Sequence, residues 1–242
     1  RHHKEVPADK KNYHLFLVTN KHVLKDVSSI VVRFNPKTEE PARDYDISLT
    51  PRKDLVLVGH HDPAVDVVAI SINANVLERD QARFAFFALD EHTLRIADAK
   101  DHGTSEGDFV YVLGFPMGIV SPDRQYVIVR AGVIARLRDA VDQKSREFLI
   151  DANVFPGNSG GPVVLKPEVV SIEQTKAINR EALIGIITSY VPYQDIAISQ
   201  QTGRPRIIFE ENSGLAAVVP SDCIIEVVED AFKQQMEILA RA

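Results

Sequence analysis

This chain is short of four things, and each absence closes off a class of protein. It has one cysteine, Cys223, so no internal disulfide can form and the fold needs no oxidising compartment. It has no apolar run of the roughly 20 residues that a membrane-spanning helix requires. It has no basic excess: 28 Lys and Arg stand against 34 Asp and Glu, the net charge is −6, and no run of five like charges occurs. Nucleic acid is therefore not expected as its main partner, because binding it needs a basic face. Finally, no histidine follows His102, although the chain runs to 242 residues.

What is present suits a soluble chain with a real core: hydrophobic residues make up 45% and charged residues 26%. The length fits one large domain or two fused halves. The first residue is Arg1, which is compatible with a removed leader peptide. Cys223 sits in "PSDCIIEVVEDAF", an apolar-periodic stretch, and is read as a buried structural residue rather than a nucleophile.

Short apolar or alternating runs recur along the chain with turn residues between them. They fall at 13–19, 28–34, 45–50, 54–59, 66–72, 83–89, 108–114, 125–137, 146–152, 161–165, 182–191, 206–210 and 214–220. Many short strands of this kind predict an all-β sandwich or barrel. The long run at 125–137 reads as two strands or one bent strand, with Gly132 allowing the bend. Loops are expected at 35–44, 90–107, 166–181 and 192–205. One helix closes the chain from 221, with Ser221 as N-cap and Ile224, Ile225, Val228, Phe232 and Ile238 at helical spacing.

The stretch "PGNSGGPVV" at 156–164 sets one hydroxyl, Ser159, among three glycines. A serine becomes a nucleophile when a neighbouring base, usually a histidine held by a carboxylate, takes its proton. The same letters match the G-x-S-x-G elbow of α/β-hydrolases, where the histidine follows the serine. All eight histidines (His2, His3, His14, His22, His60, His61, His92 and His102) precede Ser159, so that reading fails. The order Asp, His, Ser would need alternating strands and long helices, which the pattern lacks. The order His, Asp, Ser remains.

His22 stands just after an apolar strand in "FLVTNKHVLKD", and Asp66 opens the apolar strand "DVVAISI". Asp62 is the rival carboxylate, but it precedes Pro63 in a turn. Bare N–H groups beside the serine would stabilise the negative charge that acyl transfer builds on a carbonyl oxygen. The turn Gly157, Asn158 and Ser159 supplies them, with Gly157 and Ser159 as the donors. "GHHD" at 59–62 is read as a solvated turn rather than a metal site, since adjacent histidines on a strand point to opposite sides.

"VTNKHVL", "DVVAISI" and "DANVFPGNSGGPVV" resemble the His, Asp and Ser motifs of trypsin-like serine peptidases. The nearest likeness is to the bacterial-type high-temperature-requirement proteases and glutamyl endopeptidases. The resemblance spans about residues 13–230 and takes in "GDFVYVLGFPMG", "RAGVIARL" and "NSGLAAVVPSD" as well. It implies two six-stranded antiparallel β-barrels with a C-terminal α-helix: residues 1–100 carrying His22 and Asp66, 101–220 carrying Ser159, and the helix from 221 to 242. It implies a peptide or protein substrate and neither metal nor cofactor; it leaves oligomeric state open, and bacterial cytoplasm and periplasm both fit. The non-catalytic alternative is a peptide-binding or resting-state module on the same fold.

The primary specificity pocket would be lined by Asn153, by Thr188, Ser189 and Tyr190, and by Gly214, Leu215 and Ala216. None of these is acidic, and no pocket histidine is available, so a small or medium apolar residue is expected before the scissile bond. Asn158 departs from the digestive branch, whose Asp at this position pairs with a newly cut N-terminus. Activation by N-terminal cleavage is therefore not expected; order in the loops 166–181 and 192–205 is.

Overall fold

A computed structural model describes residues 11–52, 55–167 and 181–241. The N-terminal half contributes β1 (Leu15–Thr19), β2 (Ser29–Pro36), β3 (Arg43–Ser48), β4 (Leu57–Gly59), β5 (Val68–Ile72), α1 (Ala74–Arg79) and β6 (Ala82–Arg83). Then follow β7 (Phe109–Gly114), β8 (Ile128–Arg136), α2 (Arg138–Val141), β9 (Phe148–Asp151), β10 (Pro162–Leu165), β11 (Ala182–Ile198), β12 (Pro205–Pro220) and α3 (Ser221–Ala240).

Strands β7 to β12 close into a six-stranded antiparallel barrel in the order β10-β11-β12-β9-β8-β7. Alternation aims its apolar residues inward. Val110 and Val112 of β7, Ile134 of β8, Phe148 and Ile150 of β9 and Ile184 of β11 meet in one buried cluster. Burying each such side chain contributes about 2 kcal/mol. The first half of β11 is buried on both faces, because Leu183 and Ile186 join a second cluster on the barrel's outer side. There they pack with Val65, Val67 and Ala69 from the N-terminal half and with Cys223, Ile224 and Val227 of α3. The closing helix thus wedges the N-terminal sheet against the barrel.

The N-terminal half differs from the closed barrel expected of it. Among the described residues it forms two three-stranded sheets, β1-β5-β4 and β3-β2-β6. The run expected as a strand over 83–89 pairs only at its first residue, in Asn35↔Arg83 and Pro36↔Ala82. Phe86 and Phe87 are instead partly exposed, and Phe86 packs on Tyr13 at 5.3 Å.

Two other expectations change, and one pair of alternatives resolves. The loop expected over 192–205 is largely strand: β11 and β12 continue beyond the barrel, paired from Pro192↔Asn212 to Ile198↔Pro205, and turn back at Gly203 with φ +65. The run at 125–137 is the single strand β8, and Gly132 is needed there because a Cβ would meet the Asp151 carbonyl at 2.5 Å. Pro220, not Ser221, stands at the N-cap position of α3, with no side-chain cap bond; the buried Ser221 hydroxyl donates to the Leu94 carbonyl at 2.5 Å. The Asp222 carboxylate accepts from the Ile96 N–H at 2.6 Å, so the helix start anchors the expected loop 90–107. Most of the loop expected at 166–181 lies outside the described residues, as do His2 and His3. No described helix is long and apolar enough to cross a membrane.

Candidate active site

His22 lies in a single 3₁₀ turn, Lys21–Leu24, that β1 delivers at its end. Asp66 lies two residues before β5, which pairs with β1 from Leu15↔Ile72 to Thr19↔Val68. This register brings the two together across a sequence gap. The His22 Nδ1 is 2.5 Å from Asp66 Oδ2, and the His22 backbone N–H donates to Asp66 Oδ1 at 3.1 Å. Nε2 of the ring has no hydrogen-bond partner among the described residues. The His22 side chain is about half exposed and Asp66 about a quarter, so the pair opens onto solvent on the imidazole side.

Two neighbours hold this pair. Asn20 is fully buried and donates Nδ2–H to the Asp66 carbonyl at 2.8 Å. Lys21 Nζ donates to the carbonyls of His60 and Asp62 at 3.2 and 3.3 Å. The rival carboxylate, Asp62, is engaged in its own turn. It accepts from the Ala64 N–H at 3.0 Å and faces Arg146 Nε at 3.1 Å. The Ala64 bond, aided by Arg146, holds its carboxyl below the usual range.

Ser159 sits in the turn between β9 and β10. Glycine is required there by close approach. At Gly157, with φ +95, a Cβ would meet the Phe115 carbonyl at 2.6 Å. At Gly160, with φ +77, it would meet Thr19 Oγ1, also at 2.6 Å. The second contact sets the serine turn directly against the end of β1, three residues before His22.

The Ser159 hydroxyl donates to the Thr188 carbonyl at 3.2 Å, and no hydrogen bond joins it to the His22 ring. Asn158 is buried; its N–H donates to the Phe155 carbonyl, and its Oδ1 accepts from the Phe155 N–H, each at 3.0 Å. Its own N–H is therefore committed within the turn. The Pro156 carbonyl accepts from the Met117 N–H at 2.6 Å. Among the described residues, neither the Gly157 nor the Ser159 N–H donates to a protein acceptor.

The expected pocket residues come from three adjacent strands. Tyr190 pairs with Ala216, and Ser189 with Ala217, across β11 and β12. Leu215 pairs with Asp151 of β9, and the Ala152 N–H donates to the Gly214 carbonyl at 2.9 Å. Asn153 follows between the buried Ala152 and Val154. Tyr190 ties its hydroxyl to Glu210 Oε1 at 2.6 Å. Asp151 escaped the sequence reading; its Oδ1 lies 3.8 Å from where a Gly214 Cβ would stand. Asn20 and the Thr188 carbonyl were missed too. Only the place of Asn20 at a strand end, two residues before the histidine, could have hinted at its part.

The "GHHD" turn is solvated at Gly59 and His61 as expected, but not at His60. The His60 side chain is 2% exposed, and the two rings stack at 4.3 Å on one side of a turn rather than on opposite faces of a strand. With Glu226 of α3 they bring three ligand-type atoms within 4.8 Å of one another. His60 Nδ1, however, accepts the Asp62 N–H at 3.0 Å, so neutral His60 carries its proton on Nε2 and donates it to Glu226 at 3.0 Å. A cation at Nε2 would have to displace both bonds. Cys223, nearby, is buried as expected. Burial, with Glu226 and Asp222 adding to it, pushes its thiol up to about 11.

The trypsin-like peptidase domain family matches residues 8–170. A probable periplasmic serine endoprotease DegP-like of Rhizobium meliloti (strain 1021) is 32% identical over 160 residues, which are 65% of this chain and 25% of that protein. A protein of the same name from Pseudomonas putida (strain F1) is 25% identical over 185 residues, 76% of this chain and 31% of the relative. The counterpart in Bartonella henselae is 31% identical over 160 residues. The chain spans about a quarter to a third of the length of these relatives. With a His–Asp pair at the end of one strand, a glycine-bounded serine turn packed against it and a family match covering most of its length, the chain belongs to the trypsin-like peptidase domain family.

Proposed function

We propose that this chain is a serine endopeptidase that cleaves peptide or protein substrates through a His22–Asp66–Ser159 triad. The observation that carries this reading is the bond between His22 Nδ1 and Asp66 Oδ2 at 2.5 Å, which leaves Nε2 of the same ring without a partner. Asp66 fixes the tautomer with the proton on Nδ1 and stabilises the imidazolium that forms. Nε2 is then the base for Ser159. The serine exchanges its bond to the Thr188 carbonyl for one to Nε2 and gives up its proton as Oγ attacks the substrate carbonyl. The N–H groups of Gly157 and Ser159 receive the oxyanion. His22 returns the proton to the leaving amine, and water then releases the acyl group by the same route. Residues 1–100 and 101–220 are the two halves that contribute to the cleft, with 221–242 as the closing helix.

The pocket is read as admitting a small or medium apolar side chain, limited by Tyr190 and Leu215. The Asp151 carboxylate near Gly214 favours a second preference, for a basic side chain. A panel of acyl-coumarin peptides differing only at the residue before the scissile bond separates the two: Ala or Val leading supports the first, Arg or Lys the second.

The Ser159–Thr188 hydrogen bond favours one other reading of the whole chain, a resting or binding-only module. A fluorophosphonate probe distinguishes them. Labelling of the native protein at Ser159, absent in Ser159→Ala, is expected. A well-folded native protein that fails to label would sink the endopeptidase reading and leave the binding module.

A further inference from the structure

The β11–β12 ribbon leaves the barrel after Tyr190↔Ala216 and runs outward as two strands with nothing packed on either face among the described residues. A two-stranded ribbon is marginal by itself in water. This one also exposes large apolar side chains, with Ile196, Ile198 and Ile208 at 46–61% and Tyr193, Ile207 and Phe209 at 52–60%. Such a concentration on a projecting arm marks an interaction surface.

Alternation sorts the arm into two chemically different faces. On β12, Ile208 and Glu210 share one face, register brings Ile196 beside Ile208 and Gln194 beside Glu210, and Arg206 is the extra residue of a bulge at the tip end of that face, opposite Ala197 and Ile198. That face reads from tip to base as basic, apolar, acidic. Arg206 is exposed and takes part in no hydrogen bond or ion pair among the described residues. Glu210 accepts from Tyr190 Oη and Gln194 Nε2 at 2.6 and 3.0 Å, which holds it as a carboxylate at the base and leaves lone pairs over. The opposite face carries Tyr193, Ile207 and Phe209 with Asp195 and Glu211, acidic without a basic counterpart.

A face ordered basic–apolar–acidic is complementary to itself when turned end for end. In a two-fold contact each residue meets the partner's matching position, so the patch must satisfy itself. With the axis through Ile208, Arg206 of each copy meets the partner's Glu210, and the isoleucines close between them. The two charges lie four residues apart, about 14 Å along the strand, on both copies alike. The opposite face lacks this property, since pairing it with itself gathers only carboxylates. We propose that the β11–β12 arm is a self-association surface, on which two copies of this chain pack antiparallel through Ile196, Ile198 and Ile208 and lock register with reciprocal Arg206–Glu210 pairs. This does not depend on the peptidase reading.

Sedimentation velocity over concentrations up to the order of 100 μM tests it, that being the range where weak specific contacts appear. The native chain is expected to sediment as a monomer–dimer equilibrium. R206E and E210R should each weaken association by at least about tenfold, and the double variant R206E/E210R should recover it. I208D, a change on the exposed face away from the barrel, should leave a monomer with an unchanged melting temperature. Because E210R also removes the Tyr190 bond, R206E and I208D serve as the independent pair if E210R folds poorly. A native chain that stays monomeric throughout overturns the proposal. So does a dimer indifferent to R206E and I208D, or an I208D variant that changes only peptide KM while its mass is unaltered.

Discussion

Asn20, without exposed surface, donates its side-chain N–H to the backbone carbonyl of Asp66 at 2.8 Å. The bond crosses from the end of β1 to the start of β5 and sets the Asp66 backbone where its carboxylate meets His22. Asn20 touches no substrate in this arrangement; it positions. Asn20→Ala is expected to lower kcat/KM about tenfold, the equivalent of about 1.4 kcal/mol, with KM little changed. Asn20→Asp, which sets oxygen against oxygen, should cost about 2–3 kcal/mol in urea unfolding as well. Steady-state kinetics beside denaturation curves check both. A normal kcat in Asn20→Ala would confine the residue to a packing role.

If Ser159 and His22 act as one unit, their losses should not multiply. Ser159→Ala and His22→Ala are each expected to lower kcat about a millionfold, and the double variant to be no slower than either. Single-turnover assays at high enzyme concentration read the residual rate. A double variant far slower than both singles would mean that the two residues contribute separately.

The glycine beside the nucleophile answers to β1 as well as to its own turn. At Gly160 a Cβ would stand 2.6 Å from Thr19 Oγ1, and the φ of +77 resists any side chain. Gly160→Ala should therefore destabilise the fold by about 1–3 kcal/mol and abolish fluorophosphonate labelling, since Ser159 moves with its turn. Adding Thr19→Ala removes the steric half of the problem but not the backbone half. Partial recovery of the melting temperature, with labelling still impaired, is the expected result of the double change.

The barrel strands were readable because burial alternates along them: Val110 and Val112 are fully buried in β7 while Phe109 between turn and strand is half exposed. The His–Asp–Ser order was readable from inventory alone, since no histidine follows Ser159. Of the arm, the returning half was readable as the run at 206–210, but the outgoing half was not, because Pro192 and Pro205 punctuate it like loop ends. A two-stranded ribbon with free outer edges tolerates them, needing no donor on that side. The 83–89 run failed in the opposite sense, an apolar string whose ladder stops at its first residue, Arg83. The part of Asn20 depends on a carbonyl 46 residues away, and no local pattern encodes that. The His60–Glu226 bond spans 166 residues and was hidden for the same reason.

Cys223 offers a probe of the seam between α3 and the N-terminal sheet. Burial is the main cause that lifts its thiol to about 11, so near neutral pH it is neutral and enclosed. Thiolate is the reactive form. Reaction with a disulfide reagent at mildly alkaline pH should be at least about a hundredfold slower in the native protein than in urea. Glu226→Ala removes the acceptor of the His60 N–H and should loosen the helix over this site, raising the native rate. A native rate equal to the unfolded one would place the thiol at the surface.

Acid stability should turn on Glu106. Burial raises its carboxyl, but the N–H groups of Leu137 and Arg138, at 3.1 and 3.2 Å, and the Arg138 charge outweigh that and leave it below the ordinary glutamate range. Those N–H groups open α2, whose first turn has no cap of its own. A folded value below the unfolded one means that the folded state releases the proton first as pH rises. The stabilisation is thus whole above the unfolded range, about pH 4, and drains away as pH falls through the depressed folded value. Glu106→Gln should be about 1–2 kcal/mol less stable than the native chain near neutral pH. Urea midpoints taken downward from there should converge as the native carboxyl gains its proton. A gap that stays constant to below pH 3 would show that the capping charge contributes nothing.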